Sequence, residues 1–268
     1  MSGTRSFYAR YYGGLIRRGG FSLAKGLALP LVRREAVRSG AHAMAYPIST
    51  YAPWQSDGDF RRVFGAVKRN TLVDIWRCHE LWGLLGELTE VPGAILEVGV
   101  WRGGSGALLA WRAASLGITD PVYLCDTWEG VVKTGPADIY YHDGKHNDTS
   151  RGIVEKLVSD MQLGNVRLLQ GIFPDDTAHR LDDDGFRLVH IDVDVYQSAR
   201  DVFEWAWPRL SDGGVVIFDD YGCPATPGVT DFVNEQRGLP DRLLLHNLNG
   251  HGIVLKRSTP ERRIASTT

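Results

Sequence analysis

The sequence predicts an α/β fold, an open and mostly parallel sheet with helices on both faces and an antiparallel hairpin at one edge. Three observations predict it. The stretch from Phe186 to Phe218 reads as strand, helix, strand. A short apolar run is followed by helical spacing at Val202, Phe203, Trp205 and Ala206, then by Asp212-Gly213-Gly214 and a second apolar run from Val215. Ala94 to Val98 is another strand-like run, and it opens into a glycine-rich turn and a helix. Near the C-terminus, Asn249-Gly250 stands between two apolar runs, a strong hairpin signal. Five parallel strands closed by such a hairpin make a sheet of seven.

The 268 residues leave room for one large α/β domain and an N-terminal appendage. Hydrophobic content of 43% and charged content of 23% are those of an ordinary globular protein. A net charge of -2 gives no argument for a nucleic-acid or anionic-membrane partner. No run of about 18 apolar residues occurs, so no membrane span is expected. Cys78, Cys125 and Cys223 have neither paired nor ligand spacing, and a reducing, cytoplasmic setting is expected.

In chain order, residues 1–58 form the appendage, a basic arm and an aromatic loop. Arg5, Arg10, Arg17, Arg18, Lys25, Arg33 and Arg34 all precede the first acid, Glu35. Such a start can be a targeting signal or lie on a membrane surface, but its apolar stretch is short and broken by Pro30. The arm is expected to make oligomer contacts or to cover the active site. Tyr46, Tyr51 and Trp54 in the loop are available to a substrate or to the body. The domain proper spans 59–257. Helical pattern begins at Asp59, and Asn70-Thr71 is expected to cap a helix whose core residues are Leu72, Ile75, Trp76, Leu81, Leu84 and Leu85.

The glycine-rich turn carries Gly99, Gly103, Gly104 and Gly106, with a helix starting near Ser105. Glycine permits close backbone approach, and a helix N-terminus presents free N–H groups. The pattern is not the dinucleotide G-x-G-x-x-G. Glu97, two residues before Gly99, repels a pyrophosphate but accepts from an ammonium or hydroxyl, which points to S-adenosylmethionine rather than NAD. The second strand ends in Asp126, placed to grip ribose hydroxyls. Trp128 either stacks on adenine or packs in the core. Residues 129–151 form a long polar excursion, read as a lid, in which His142 and His146 face either the site or solvent. A predicted helix from Ile153, a strand from Val166 and the turn GIFPDD follow, with Gly171 to Phe173 framing the adenine. Asp182-Asp183-Asp184 reads as a solvated turn. A helix near Val229 precedes the hairpin, and residues 258–268 read as a flexible tail.

Both strands of the 186–218 unit run into carboxylates, Asp192 and Asp194 on the first, Asp219 and Asp220 on the second. Neighbouring parallel strands set their C-terminal ends side by side, where α/β proteins bind ligands. Asp192, Asp219 and Asp220 are therefore expected to converge, and crowded carboxylates favour a hard cation such as Mg²⁺. Taken singly, each acid also reads as a helix cap or a solvated charge.

LEVGVWRGGSG, YLCDTWEGVVKTG, GIFPDDT, HIDVDVY, WPRLSDGGVVIFDDYG and the hairpin together resemble the macrocin-type (TylF/NovP-like) sugar O-methyltransferases over about residues 45–257. Within that family the chain looks most like the enzymes that methylate the deoxysugar noviose in aminocoumarin antibiotic assembly. The resemblance implies an S-adenosylmethionine- and Mg²⁺-dependent enzyme, a homo-oligomer, acting on a glycoside or nucleotide sugar. It implies Asp192, Asp219 and Asp220 as metal ligands and Asp194 as general base, with His142 of the lid as the alternative base. It also implies cofactor contacts at Glu97, Gly99, Ser105 and Asp126, to which the reading of the residues adds Gly103, Trp128, Gly171 and Phe173. Three other classes compete: a catechol or phenolic O-methyltransferase, a metal-dependent hydrolase, and a non-catalytic cofactor-binding module.

Overall fold

The computed structural model describes residues 51–183 and 185–258. The basic arm, Tyr46, Asp184 and residues 259–268 lie outside the described residues. Seven strands form one sheet: β1 (Ala94–Val98), β2 (Val122–Asp126), β3 (Val166–Gln170), β4 (Phe186–Ile191), β5 (Leu210–Phe218), β6 (Arg242–His246) and β7 (Gly252–Lys256). Their order is β3-β2-β1-β4-β5-β7-β6. The first five are parallel, and β7 pairs antiparallel with both β5 and β6. This is the sheet the sequence predicts. The order reverses between β1 and β4, which makes their C-terminal ends the topological switch point of the sheet.

The helices are α1 (Gly58–Val67), α2 (Ile75–Glu87), α3 (Gly104–Ser115), α4 (Arg151–Asp160), α5 (Tyr196–Ala206) and α6 (Pro227–Glu235). Strand side chains alternate between the two faces. Leu96, Val98, Val189, Ile191, Val216 and Phe218 pack with α5 and α6. Ile95, Leu188, Val215, Ile217 and Ile253 pack with α1 to α4. The same alternation sends Glu97, His190, Asp219 and His251 toward the α1–α4 face, where all four are buried.

Several local expectations change. The cap of α2 is Asp74, whose Oδ1 accepts from Trp76 N (2.9 Å) and Arg77 N (3.0 Å), not Asn70-Thr71. Thr71 Oγ1 instead accepts from Val73 N, and Asn70 O accepts from Gly104 N at 2.8 Å, tying this turn to the start of α3. Leu72 therefore precedes the helix and is exposed, and Trp76 on its first turn is half-exposed, so neither is core. Strand β5 begins at Leu210, and Asp212-Gly213-Gly214 is a kink within it, opposite a register shift in β4. Asp183 accepts from the Tyr123 hydroxyl at 2.7 Å, so the acidic turn is bonded rather than merely solvated. The hairpin loop runs over 247–251 because Asn247 Oδ1 accepts from Asn249 N (2.9 Å) and His251 N (3.3 Å). Among the described residues no helix is long and apolar enough to cross a membrane.

Candidate active site

A cavity opens at the C-terminal ends of β1, β2, β4 and β5. Its lining includes Gly99, Ser105, Asp126, Gly171, Phe173, Asp192, Asp194, Asp219 and Asp220, so nine of the thirteen positions expected from the sequence meet in one place. Glu97, Gly103, Trp128 and His142 are not among the lining residues. Each has an evident local position. Glu97 is fully buried, with Oε1 accepting from His190 Nδ1 at 2.8 Å. Gly103 stands at the N-cap of α3 with a left-handed φ of 86°. Trp128 packs in the α1–α4 core and donates its indole N–H to Trp101 O at 3.1 Å. His142 is exposed, its Nδ1 3.0 Å from the carbonyl of Asp143. His146 does line the cavity.

The glycine-rich turn is braced by Asp126. Its Oδ2 accepts from Val100 N (2.7 Å) and Trp101 N (2.8 Å), and its Oδ1 from Trp128 N (2.6 Å). Burial raises the pKa of this carboxyl against the pull of those three N–H groups. The acid expected to grip a ribose thus also holds the turn between β1 and α3 in shape.

The four strand-end aspartates divide into two groups. Oxygens of Asp192, Asp194 and Asp220 lie within 4.8 Å of one another. Burial, then the charges of Asp219, Asp220 and Asp194, push Asp192 well above the usual carboxylate range. Burial and Asp220 push Asp194 up to about 7. Burial and Asp219 likewise raise Asp220. Asp194 and Asp220 both sit at left-handed φ, 64° and 61°, a costly conformation for a non-glycine residue and one that clusters at functional sites. Asp219 behaves differently. Burial opposes its charge, but His190, His251 and Arg77 outweigh burial and hold its carboxyl well below the usual range. Its Oδ1 accepts from His251 Nε2 at 2.9 Å, while His190 Nε2 stands at 3.7 Å, an ion-pair distance too long for a hydrogen bond.

Sequence reasoning missed Arg77, Tyr141 and Asp138. Arg77, on the first turn of α2, donates from one nitrogen, Nη1, to Asp219 Oδ2 and to Asp220 Oδ1 (3.1 Å for the latter). Those two oxygens therefore converge on the Arg77 guanidinium. Tyr141 lines the cavity from the 129–151 segment, where burial and then the charge of Asp194 raise its phenol above the usual range. Up to Ser150 that segment contains no helix or strand but is closed on itself by Val131 N to Lys145 O (2.8 Å) and Gly144 N to Val131 O (2.9 Å). Buried Asp138 accepts from Gly135 N (2.9 Å) and from Tyr196 N (3.0 Å), supplying α5 with the N-terminal cap its own flanking residue lacks. Asp138→Ala is expected to cost about 1–2 kcal/mol, the worth of a cap, and to open 129–151. Limited proteolysis within that segment should speed up while the rest of the domain stays resistant.

The sequence matches the description macrocin-O-methyltransferase (TylF) over residues 76–252, more than half of the chain. The chain belongs to that family. It is an O-methyltransferase with the class I methyltransferase fold. Family relatives include the mycinamicin III 3''-O-methyltransferase of Micromonospora griseorubida, 30% identical over 63% of this chain and 70% of the relative. The demethyldecarbamoylnovobiocin O-methyltransferase of Streptomyces niveus is 30% identical over 68% of this chain and 74% of the relative. The 4'-O-methyltransferase of Streptomyces olivaceus that is named for a dimethoxyrhamnosyl-tetracenomycin C is 33% identical over 55% of this chain and 59% of the relative. Among solved structures, the O-methyltransferase NovP superposes with a TM-score of 0.63 at 26% identity, covering 71% of this chain and 83% of NovP.

Proposed function

We propose that this TylF-family enzyme is an S-adenosylmethionine- and Mg²⁺-dependent O-methyltransferase whose acceptor is a deoxysugar hydroxyl of a specialised metabolite, on a glycoside or a nucleotide sugar. The observation that carries the reading is the set of four aspartates at the ends of β4 and β5, lining one cavity together with the glycine-rich turn. The relatives support the acceptor class. They stand at 30–33% identity, and their names span three different antibiotics. That even spread favours the shared chemistry over any one of their substrates, noviose included.

The residues fit both groups. An all-oxygen donor set suits a hard cation, and the mutual repulsion that raises Asp192, Asp194 and Asp220 is what a cation among them would relieve. Gly99 and Gly171 let the chain pack closely at the cavity edge, since a Cβ at either would run into Asp192 or Asp176. Ser105 and Asp126 line the cavity beside the glycine-rich turn, and a carboxylate at the end of β2 can accept from ribose hydroxyls. When bound, S-adenosylmethionine supplies the methyl group, and the cation fixes the acceptor hydroxyl and lowers its pKa. Asp192, Asp219 and Asp220 would hold the cation. Asp194 would take the hydroxyl proton, and Tyr141 lines the same cavity. Val131 and Val132, beside Tyr141 in the cavity wall, exclude water from the transfer.

The test is a methyl-transfer assay across deoxysugar glycosides, nucleotide sugars and catechols, each with Mg²⁺ and with a chelator. Metal-dependent transfer to a sugar is expected. Transfer confined to catechols would overturn the acceptor, and full activity in chelator would overturn the metal.

A further inference from the structure

Asp219 is gripped from two sides by one face of α2. Arg77 and Glu80 stand three residues apart on that helix, so they project along the same face. Arg77 reaches Asp219 Oδ2 directly. Glu80 reaches the other oxygen through His251: Glu80 Oε2 accepts from His251 Nδ1 at 2.6 Å, and His251 Nε2 donates to Asp219 Oδ1 at 2.9 Å. Register explains why His251 is there. Phe218 pairs with Gly252 across β5 and β7, so the next residue of each strand, Asp219 and His251, meet just beyond the ladder. Asn247, at the start of the same loop, donates Nδ2 to both oxygens of Glu80, at 2.6 Å each. The hairpin thus holds Glu80, Glu80 holds the His251 ring, and the ring fixes Asp219.

We propose that Glu80 and His251 form a relay of positioning residues that commits Asp219 Oδ1 and leaves only Oδ2 for Arg77 and for the cation that Asp192, Asp219 and Asp220 would hold. The proposal rests on the metal-dependent reading above. Its physical logic is that of an outer ligand shell, in which a carboxylate–histidine pair fixes the orientation of a ligand it does not replace. A carboxylate free to rotate would present either oxygen and lose part of its preorganisation toward a cation. With Oδ1 tied to a buried imidazolium that donates from both nitrogens, only Oδ2 remains, and its lone pairs can serve Arg77 and a cation together. His190 does not share this role: its Nδ1 is taken by Glu97, and its Nε2 makes no hydrogen bond among the described residues.

The experiment is Mn²⁺ binding, followed by electron paramagnetic resonance, to wild type, His251→Phe, Glu80→Ala and Glu80→Gln, with S-adenosylmethionine affinity measured by calorimetry on the same samples. His251→Phe and Glu80→Ala should weaken Mn²⁺ by about 10–100-fold, the usual loss for outer-shell partners, with S-adenosylmethionine affinity unchanged. Glu80→Gln, which still presents an acceptor oxygen to His251 Nδ1, should keep most of the Mn²⁺ affinity. In activity assays the first two variants should raise the Mg²⁺ concentration for half-maximal rate and recover kcat at saturating Mg²⁺. If wild type binds Mn²⁺ and the variants match it within two-fold, the relay falls and the metal reading stands. If wild type binds no Mn²⁺, both fall. Equal losses of Mn²⁺ and S-adenosylmethionine affinity would mean that the residues only hold the fold. Stoichiometric zinc retained through chelator in wild type and lost in His251→Phe would make His190, Asp219 and His251 ligands themselves and overturn the relay. Should His251→Phe fail to fold, the two Glu80 variants carry the test.

Discussion

Asp192→Asn is expected to abolish methyl transfer without destabilising the protein. The loss should be roughly 10³-fold or more, because the cation's charge stabilisation is worth several kcal/mol and each 1.4 kcal/mol is about tenfold in rate. The stability half of the prediction follows from the electrostatics. Burial and three neighbouring carboxylates push the Asp192 carboxyl well above its usual range, so its charge is a liability to the folded chain. Removing that charge relieves a repulsion, and the variant should be as stable as wild type or more so. Such opposition between stability and function is expected at active sites. Asp219→Ala should show the reverse balance. It strips Arg77 and His251 of a buried partner, and breaking a buried pair costs about 3–5 kcal/mol. Urea unfolding in chelator, paired with kcat in Mg²⁺, checks both. An Asp192→Asn enzyme within ten-fold of wild-type activity would remove Asp192 from the cation site. An Asp192→Asn variant less stable than Asp219→Ala would refute the charge argument.

The difference between these two aspartates is only half legible in the sequence. Strand ends and their order follow from short apolar runs joined by helices, and parallel neighbours then bring Asp192 and Asp219 together by geometry alone. Period-two alternation carries more than the positions of the strands. It puts Glu97 on the face of Ile95, and His190 and Asp219 on that of Leu188 and Ile217, which is the core side packed by α2. That is why Glu97 pairs with His190 and does not line the cavity. What alternation does not tell is which helix covers that face, so Arg77 and Glu80 stay hidden in a segment that reads simply as amphipathic. The cap of α2 misleads for a related reason. Asn70, Thr71 and Asp74 are all good caps, and only the tie of Asn70 to Gly104 decides that the helix starts after Asp74. In the 129–151 segment there is no period at all. Nothing in the chain distinguishes Tyr141, which faces Asp194, from His142 beside it, which is exposed.

Gly99 tests how closely the two halves of the site must approach. It has a φ of 88°, and a Cβ there would lie 1.7 Å from the carbonyl oxygen of Asp192. That oxygen belongs to backbone at the end of β4, so no side-chain rotation relieves the overlap. Asp192 N is bonded to Val98 O at 2.9 Å, which holds the two strand ends together. Gly99→Ala must therefore either break that pairing or displace the first aspartate of the site. Gly117 is the control, with a φ of 74° and nothing within 4 Å of the point where a Cβ would stand. Gly117→Ala carries only the left-handed penalty of about 1–2 kcal/mol. Gly99→Ala adds an overpacking cost of about 1–3 kcal/mol or more, and it should also lose S-adenosylmethionine binding, which Gly117→Ala should keep. Urea unfolding and calorimetry of the two variants separate the contributions. Equal destabilisation, with the cofactor bound by both, would mean that β1 and β4 can part at Gly99 without consequence, and that the close approach is not what shapes the site.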